Sequence, residues 1–191
     1  MSNHIDFYFD IISPYAYIAH NKILRNRNVI FNYKPIYLGG LHKLAGIDSP
    51  VFNEYKLRNN INDCNLVSQK NNIKFKWNSN FPINSLNLMR GYISVSQDKQ
   101  NDYLNCFFDA YWKYDYDLSN YENISKLLED LKIDNNFFFQ SIKKQSIKDK
   151  LIQLTTEAFE KKVFGAPTFI VNNKVFWGQD RLEYALEELN N

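Results

Sequence analysis

The chain has 191 residues, 45% of them apolar and 16% aromatic, with two cysteines and a formal net charge of +2. That length predicts one domain, or one domain with an insertion, able to bury its core without disulfide staples. Cys64 and Cys106 stand too far apart for a disulfide scaffold, a zinc finger, an iron–sulfur site or a C-x-x-C redox pair, and the near-neutral charge leaves no footprint for nucleic acid or an acidic membrane.

Residues 1–6 lack a basic leader, and Asp6 and Asp10 interrupt the only apolar stretch nearby, so no secretory signal is expected. No run approaches about 18 apolar residues, so no membrane-spanning helix is expected. Leu189-Asn190-Asn191 matches no receptor-read address. The expected setting is a reducing cytosol in which both thiols stay free. Residues 5–12 are β-branched and aromatic, and read as a strand. Ser13-Pro14 supplies an N-cap and a first-turn proline for a helix through residue 25. Residues 29–36 read as a second strand, ending near Pro35 and Gly39-Gly40. Strand–helix–strand predicts a parallel pair with a right-handed crossover.

The stretch from about 46 to 160 changes to helical periodicity. Helices are predicted over residues 55–70, 85–97 (with a cap near Asn84) and 99–114, followed by two or three more up to 162. Asp98 and Asp117-Leu118-Ser119 read as breaks. The aromatic run 107–114 is expected to pack this block, and Lys143, Lys144, Lys148 and Lys150 to form a solvated face. The end returns to strands. Residues 165–168 form a turn, 169–171 and 175–177 pair across Asn172-Asn173, and 178–181 lead into a final helix over 182–189, with Asp180 as its cap. The reading is an α/β, thioredoxin-like fold. Its βαβ and ββα units, residues 1–45 and 163–191, flank a helical insertion over 46–162.

Asn, Ile, Lys, Phe and Tyr make up 90 of the 191 residues. All have A/T-rich codons, so a lone Asn or Lys carries little information, whereas a patterned Gly, Pro, Arg, Trp or Asp carries more. His4, His20 and His42 show no metal-ligand spacing. Taken singly, Ser13 is an N-cap, Pro167 marks a loop-to-strand junction, Asp180 and Arg181 form a cap and a surface ion pair, and Lys56 lies on a solvated helix face.

Taken together, the motifs say more. They are residues 6–17 (DFYFDIISPYAY), 35–40 (PIYLGG), 81–86 (FPINSL) with Met89-Arg90, 163–169 (VFGAPTF) and 176–182 (FWGQDRL). In this order and spacing the chain resembles the kappa-class glutathione transferase and 2-hydroxychromene-2-carboxylate isomerase family, a branch of the DsbA-like thioredoxin folds, over nearly its whole length. Redox relatives carry C-x-x-C where this chain has Ser13-Pro14-Tyr15-Ala16. With no sulfur there, disulfide exchange is excluded.

The resemblance implies glutathione as cofactor, with the Ser13 hydroxyl donating to its thiolate, as a hydroxyl at a helix N-terminus would. It implies a cis bond before Pro167, with the Ala166 N–H and C=O free to pair with the cysteinyl part of glutathione. It places Asp180 on the γ-glutamyl end with Arg181 beside it or structuring the turn, and Lys56 on the glycine carboxylate. One departure stands out: the family's Gly-Asn is Gly46-Ile47 here. The implied function is a glutathione-dependent isomerase of the 2-hydroxychromene-2-carboxylate type, a direction that Asn84-Ser85-Leu86 and Trp177 favour. The alternatives are a kappa-class glutathione transferase and a catalytically silent binding module. The implied partners are a small electrophile or aromatic acid and a second copy of the chain in a homodimer.

Overall fold

The structure is a computed structural model that describes residues 4–190; the readings made of Met1 to Asn3 and of Asn191 lie outside the described residues. Four strands form one sheet, β1 (His4–Phe9), β2 (Ile30–Pro35), β3 (Thr168–Val171) and β4 (Lys174–Trp177), in the order β2-β1-β3-β4. β1 and β2 run parallel, while β3 is antiparallel to both β1 and β4. Helix α1 (Pro14–Ile23) makes the β1–β2 crossover. Asn172 and Asn173 make the hairpin turn with φ of 49° and 62°, a conformation that asparagine tolerates.

Between β2 and β3 the chain forms α2 (Leu38–Ala45), α3 (Glu54–Lys70), α4 (Leu86–Ser94), α5 (Gln97–Trp112), α6 (Tyr121–Asp130), α7 (Asn135–Ser141) and α8 (Gln145–Glu160). Helix α9 (Leu182–Leu189) ends the described chain. None of these helices is long and apolar enough to cross a membrane.

Four local expectations need correction. β1 stops at Phe9 because Asp10 turns the chain: its carbonyl accepts the Ser13 N–H at 3.0 Å and its carboxylate the Ile12 N–H at 3.1 Å. The Gly39-Gly40 segment is not a strand end but the first turn of α2. Burial of Leu41 overrides the low helix propensity of glycine, and the Tyr37 ring lies so close that a Cβ on Gly39 would stand 2.9 Å from its hydroxyl. Asp98 does not break a helix. It lies in the first turn of α5, where a carboxylate faces the positive end of the dipole. Asp180 does not cap α9, whose N-cap is Arg181 without a side-chain bond.

Alternation along β1 divides the core. Ile5, Phe7 and Phe9 face one side, where Phe7 stacks on Phe169 at 5.4 Å and meets Tyr33 edge-on at 5.3 Å. There they join Phe107, Phe108, Tyr111 and Trp112, so the aromatic run of α5 packs inward. Tyr8 faces the other side with Ile36, Leu41, Ala158 and Val163. Trp112 ties the helical block to the end of β1, its indole N–H donating to the Ile11 carbonyl at 2.8 Å while its ring stacks on Phe75. Met89 reaches the same residue, its sulfur accepting the Ile11 N–H at 3.4 Å.

Two buried titratable groups oppose one another. The Asp10 carboxyl is fully buried, and burial raises its pKa from 3.8 to about 6 against the hydrogen bonds it accepts. His20 is wedged between the Tyr33 hydroxyl at 3.0 Å and the Asn105 side-chain oxygen at 2.6 Å, and burial lowers its pKa from 6.5 to about 4. With its pKa raised, Asp10 stabilises the fold below pH 4, and that contribution is lost as pH rises through about 6. With its pKa lowered, His20 stabilises the fold above pH 6.5, and that contribution is lost as pH falls through about 4. Each amounts to about 3 kcal/mol, so the two nearly cancel over this window.

The wild type is therefore expected to show a flat unfolding midpoint between pH 4 and 6.5. Asp10→Asn should uncover a midpoint that falls toward acid, and His20→Gln one that falls toward neutral pH, both read from thermal melts across that range. Phe108→Ala should cost about 3–5 kcal/mol, measured by urea denaturation.

Candidate active site

The site forms where β1 ends and α1 begins. Ser13 caps α1 from an extended conformation, its side-chain oxygen accepting the Ala16 N–H at 3.2 Å, and Pro14 opens the first turn. The hydroxyl proton goes across the fold: Ser13 donates to the Ala166 carbonyl at 2.8 Å. The Ala166–Pro167 bond is cis, as is Phe81–Pro82. The Ala166 N–H makes no hydrogen bond among the described residues, although the residue is half-buried. The carbonyl is thus occupied from within the chain, while the N–H beside it stays open. The Thr168 hydroxyl holds the loop by donating to the Gly165 carbonyl at 2.7 Å.

An aromatic pair flanks this loop. Phe164 and Trp177 lie 4.9 Å apart and are both exposed. The indole passes so close to Gly165 that a Cβ there would stand 2.6 Å from its nitrogen. Glycine at 165 is therefore what brings an aromatic face within one residue of the Ser13–Ala166 contact.

Asp180 and Arg181 sit in a short 3-10 turn, Gln179–Arg181, that packs on α1. Lys22 of α1 donates to the Gln179 side chain at 2.6 Å. The Arg181 guanidinium holds Asp180 Oδ2 through two bonds, at 2.6 and 3.2 Å, and keeps that carboxyl below the usual aspartate range. The same guanidinium lies over the Tyr184 ring. One Asp180 oxygen, Oδ1, remains outside the pair and folds toward Gly178, where φ is +117°. Lys56 stands apart. It lies exposed in the first turn of α3, its N–H capped by the Asn53 side chain, and it forms no ion pair among the described residues. Asn53 is also the asparagine nearest the segment where the family's Gly-Asn is missing.

The structure thus brings Ser13, Ala166 and Pro167 together, sets Asp180 and Arg181 along α1, and leaves Lys56 on a separate helix. It also adds residues that the sequence reading passed over. Asp10 Oδ2 accepts the Leu38 N–H at 2.8 Å and the Ser85 hydroxyl at 2.9 Å, so this one carboxylate joins β1 to the starts of α2 and α4. Its only signal in the sequence was a carboxylate at the end of an apolar strand, just before Ser-Pro. Tyr37 and Arg90, on the same side, were quoted in motifs without a role. Among the described residues no group of His, Cys, Asp and Glu could hold a metal ion.

Comparison with known proteins bears on the fold and the family. The chain is 25% identical over 189 residues to a 2-hydroxychromene-2-carboxylate isomerase of Sphingobium xenophagum, covering 96% of each protein. It is 26% identical over 184 residues to one of Pseudomonas putida, covering 93% of this chain and 90% of that protein. A solved 2-hydroxychromene-2-carboxylate isomerase superposes with a TM-score of 0.87 at 25% identity, over 97% of this chain and 94% of that one. A probable DsbA oxidoreductase of Streptomyces coelicolor shares the fold alone, with a TM-score of 0.74 at 12% identity over 98% of this chain and 88% of that one. Residues 4–190 match the DSBA-like thioredoxin domain, and the chain belongs to that family.

Proposed function

We propose that this protein is a glutathione-dependent isomerase of a small aromatic acid of the 2-hydroxychromene-2-carboxylate type. The carrying observation is the Ser13 hydroxyl at the N-terminus of α1, 2.8 Å from the Ala166 carbonyl and beside an Ala166 N–H that no group among the described residues uses. A hydroxyl, a helix N-terminus and an open backbone donor suit an anionic sulfur attached to a peptide backbone. The likeness to named isomerases over nearly the whole chain supports the reaction class.

Glutathione, when bound, supplies a nucleophilic sulfur that this chain lacks at the Ser13 turn. Ser13 would turn its proton from the Ala166 carbonyl to that sulfur, keeping the Ala16 N–H on its own oxygen. The released Ala166 carbonyl and the free N–H then pair with the cysteinyl backbone. Asp180 Oδ1, left open by the Arg181 pair, suits the γ-glutamyl ammonium. Lys56 is assigned the glycine carboxylate, and Phe164 and Trp177 line the rim with apolar surface suited to a planar acid.

Calorimetric titration is expected to show glutathione binding, and the purified protein is expected to isomerise 2-hydroxychromene-2-carboxylate only when glutathione is present. Ser13→Ala should raise the thiol pKa of bound glutathione, read by thiolate ultraviolet absorbance, and lower turnover about 100-fold with a modest loss of affinity. No binding at millimolar glutathione would sink the proposal. Conjugation of a chloro-nitrobenzene without isomerisation would replace it with a transferase.

A further inference from the structure

Arg90 on α4 is a partly buried arginine without an anionic partner. Its guanidinium carries five N–H donors. They make one long hydrogen bond, from a terminal nitrogen to the Asn87 side chain at 3.5 Å. The Nε is shut off from solvent and unpartnered, and no carboxylate lies within ion-pairing distance among the described residues. A buried N–H donor costs free energy unless an acceptor meets it, and none meets the Arg90 Nε among the described residues.

The position gives this its meaning. The charge of Arg90 acts on the Tyr37 hydroxyl, which burial raises above the ordinary tyrosine range and Arg90 pulls back. That hydroxyl donates to the Asn84 side chain at 3.4 Å. Asn84 adjoins Ser85, which donates to Asp10, and the Asp10 carbonyl accepts the Ser13 N–H. Tyr37, the N-cap of α2, and Asn84, just before α4, are thus tied by hydrogen bonds and chain continuity to the Asp10 carboxylate that braces the Ser13 turn, and Arg90, midway along α4, acts electrostatically on Tyr37. The Phe164–Trp177 pair and the Ala166 loop belong to other elements, β3 and β4 and the turn before them.

The geometry points to Arg90 as the anchor for the carboxylate of the second substrate, with Tyr37 donating to the same group. This rests on the proposed function, which supplies an aromatic acid. It adds where the carboxylate is held and what selects an acid over a neutral analogue. A planar carboxylate matches the paired terminal N–H groups of a guanidinium, and the Tyr37 hydroxyl, protonated at neutral pH, offers a third donor. Asn87 then acts as a positioning residue for Arg90, while the single Tyr37 proton turns from Asn84 Oδ1 to the substrate carboxylate.

Salicylate and methyl salicylate test this, because they differ at one group, an ionised carboxylate against its neutral methyl ester. Salicylate should bind the wild type, followed by tryptophan fluorescence and by calorimetry, at least about ten-fold more tightly than its methyl ester. Arg90→Gln should abolish that preference, while Arg90→Lys should keep part of it. Glutathione titrations of the same variants should match the wild type, so a failure of the glutathione site reads separately from a failure of the anchor. Equal binding of acid and ester to the wild type would overturn the assignment, as would undiminished salicylate binding to Arg90→Gln or no salicylate binding at all. Should Arg90→Gln fail to fold by circular dichroism, the acid–ester comparison on the wild type and on Arg90→Lys decides alone.

Discussion

The buried Asp10 carboxylate is the constraint on which the site depends. It receives the Ile12 and Leu38 N–H groups and the Ser85 hydroxyl, and thereby fixes the Ser13 turn to α2 and α4 at once. A carboxylate in a dry interior disfavours its own ionised form, and three donors offset only part of that cost. The gain is geometric. Asp10 and Ile11 are braced by Leu38, Ser85, Met89 and Trp112, so the segment entering Ser13 has little freedom left. The hydroxyl can then be aimed at Ala166 with no further support than the helix it caps.

This bracing also explains why the helical block is more than a lid. It supplies Trp112 and Met89 to the end of the central strand, and its aromatic residues continue the core that begins on the sheet. The same block brings Ser85 onto Asp10, with Asn84 beside it in sequence and Arg90 one turn further along α4. On the proposed reading, Ser13, Ala166 and Asp180 face glutathione from the thioredoxin-like part, while Lys56 on α3 and the Arg90 anchor on α4 belong to the helical block.

Much of the fold was legible because local rules act over short spans. The alternation of Phe7 and Phe9, the Ser13-Pro14 start, the Asn172-Asn173 turn and the α9 limits all depend on residues within a few positions of one another. The errors arose where burial or a neighbouring side chain overrode the propensity of single residues. Gly39-Gly40 reads as the neighbourhood of a strand end, yet it forms the first turn of α2, with Tyr37 over it and Leu41 buried beside it. Asp180 read as a cap because of its place before a helix, yet Arg181 captures its carboxylate.

The sequence by itself determined the order of elements and the absence of sulfur at the Ser13-Pro14-Tyr15-Ala16 turn, since periodicity and residue identity are properties of the chain. Only the tertiary structure decided what those residues do. Ser13 finds Ala166 across 153 positions, Asp10 finds Ser85 across 75, and Arg90 keeps a buried Nε without a partner among the described residues. Burial and the presence or absence of a partner arise only when segments far apart in the chain are packed together. The roles of Asp10 and Arg90 follow from that packing, because the free energy of a charged group depends on what surrounds it.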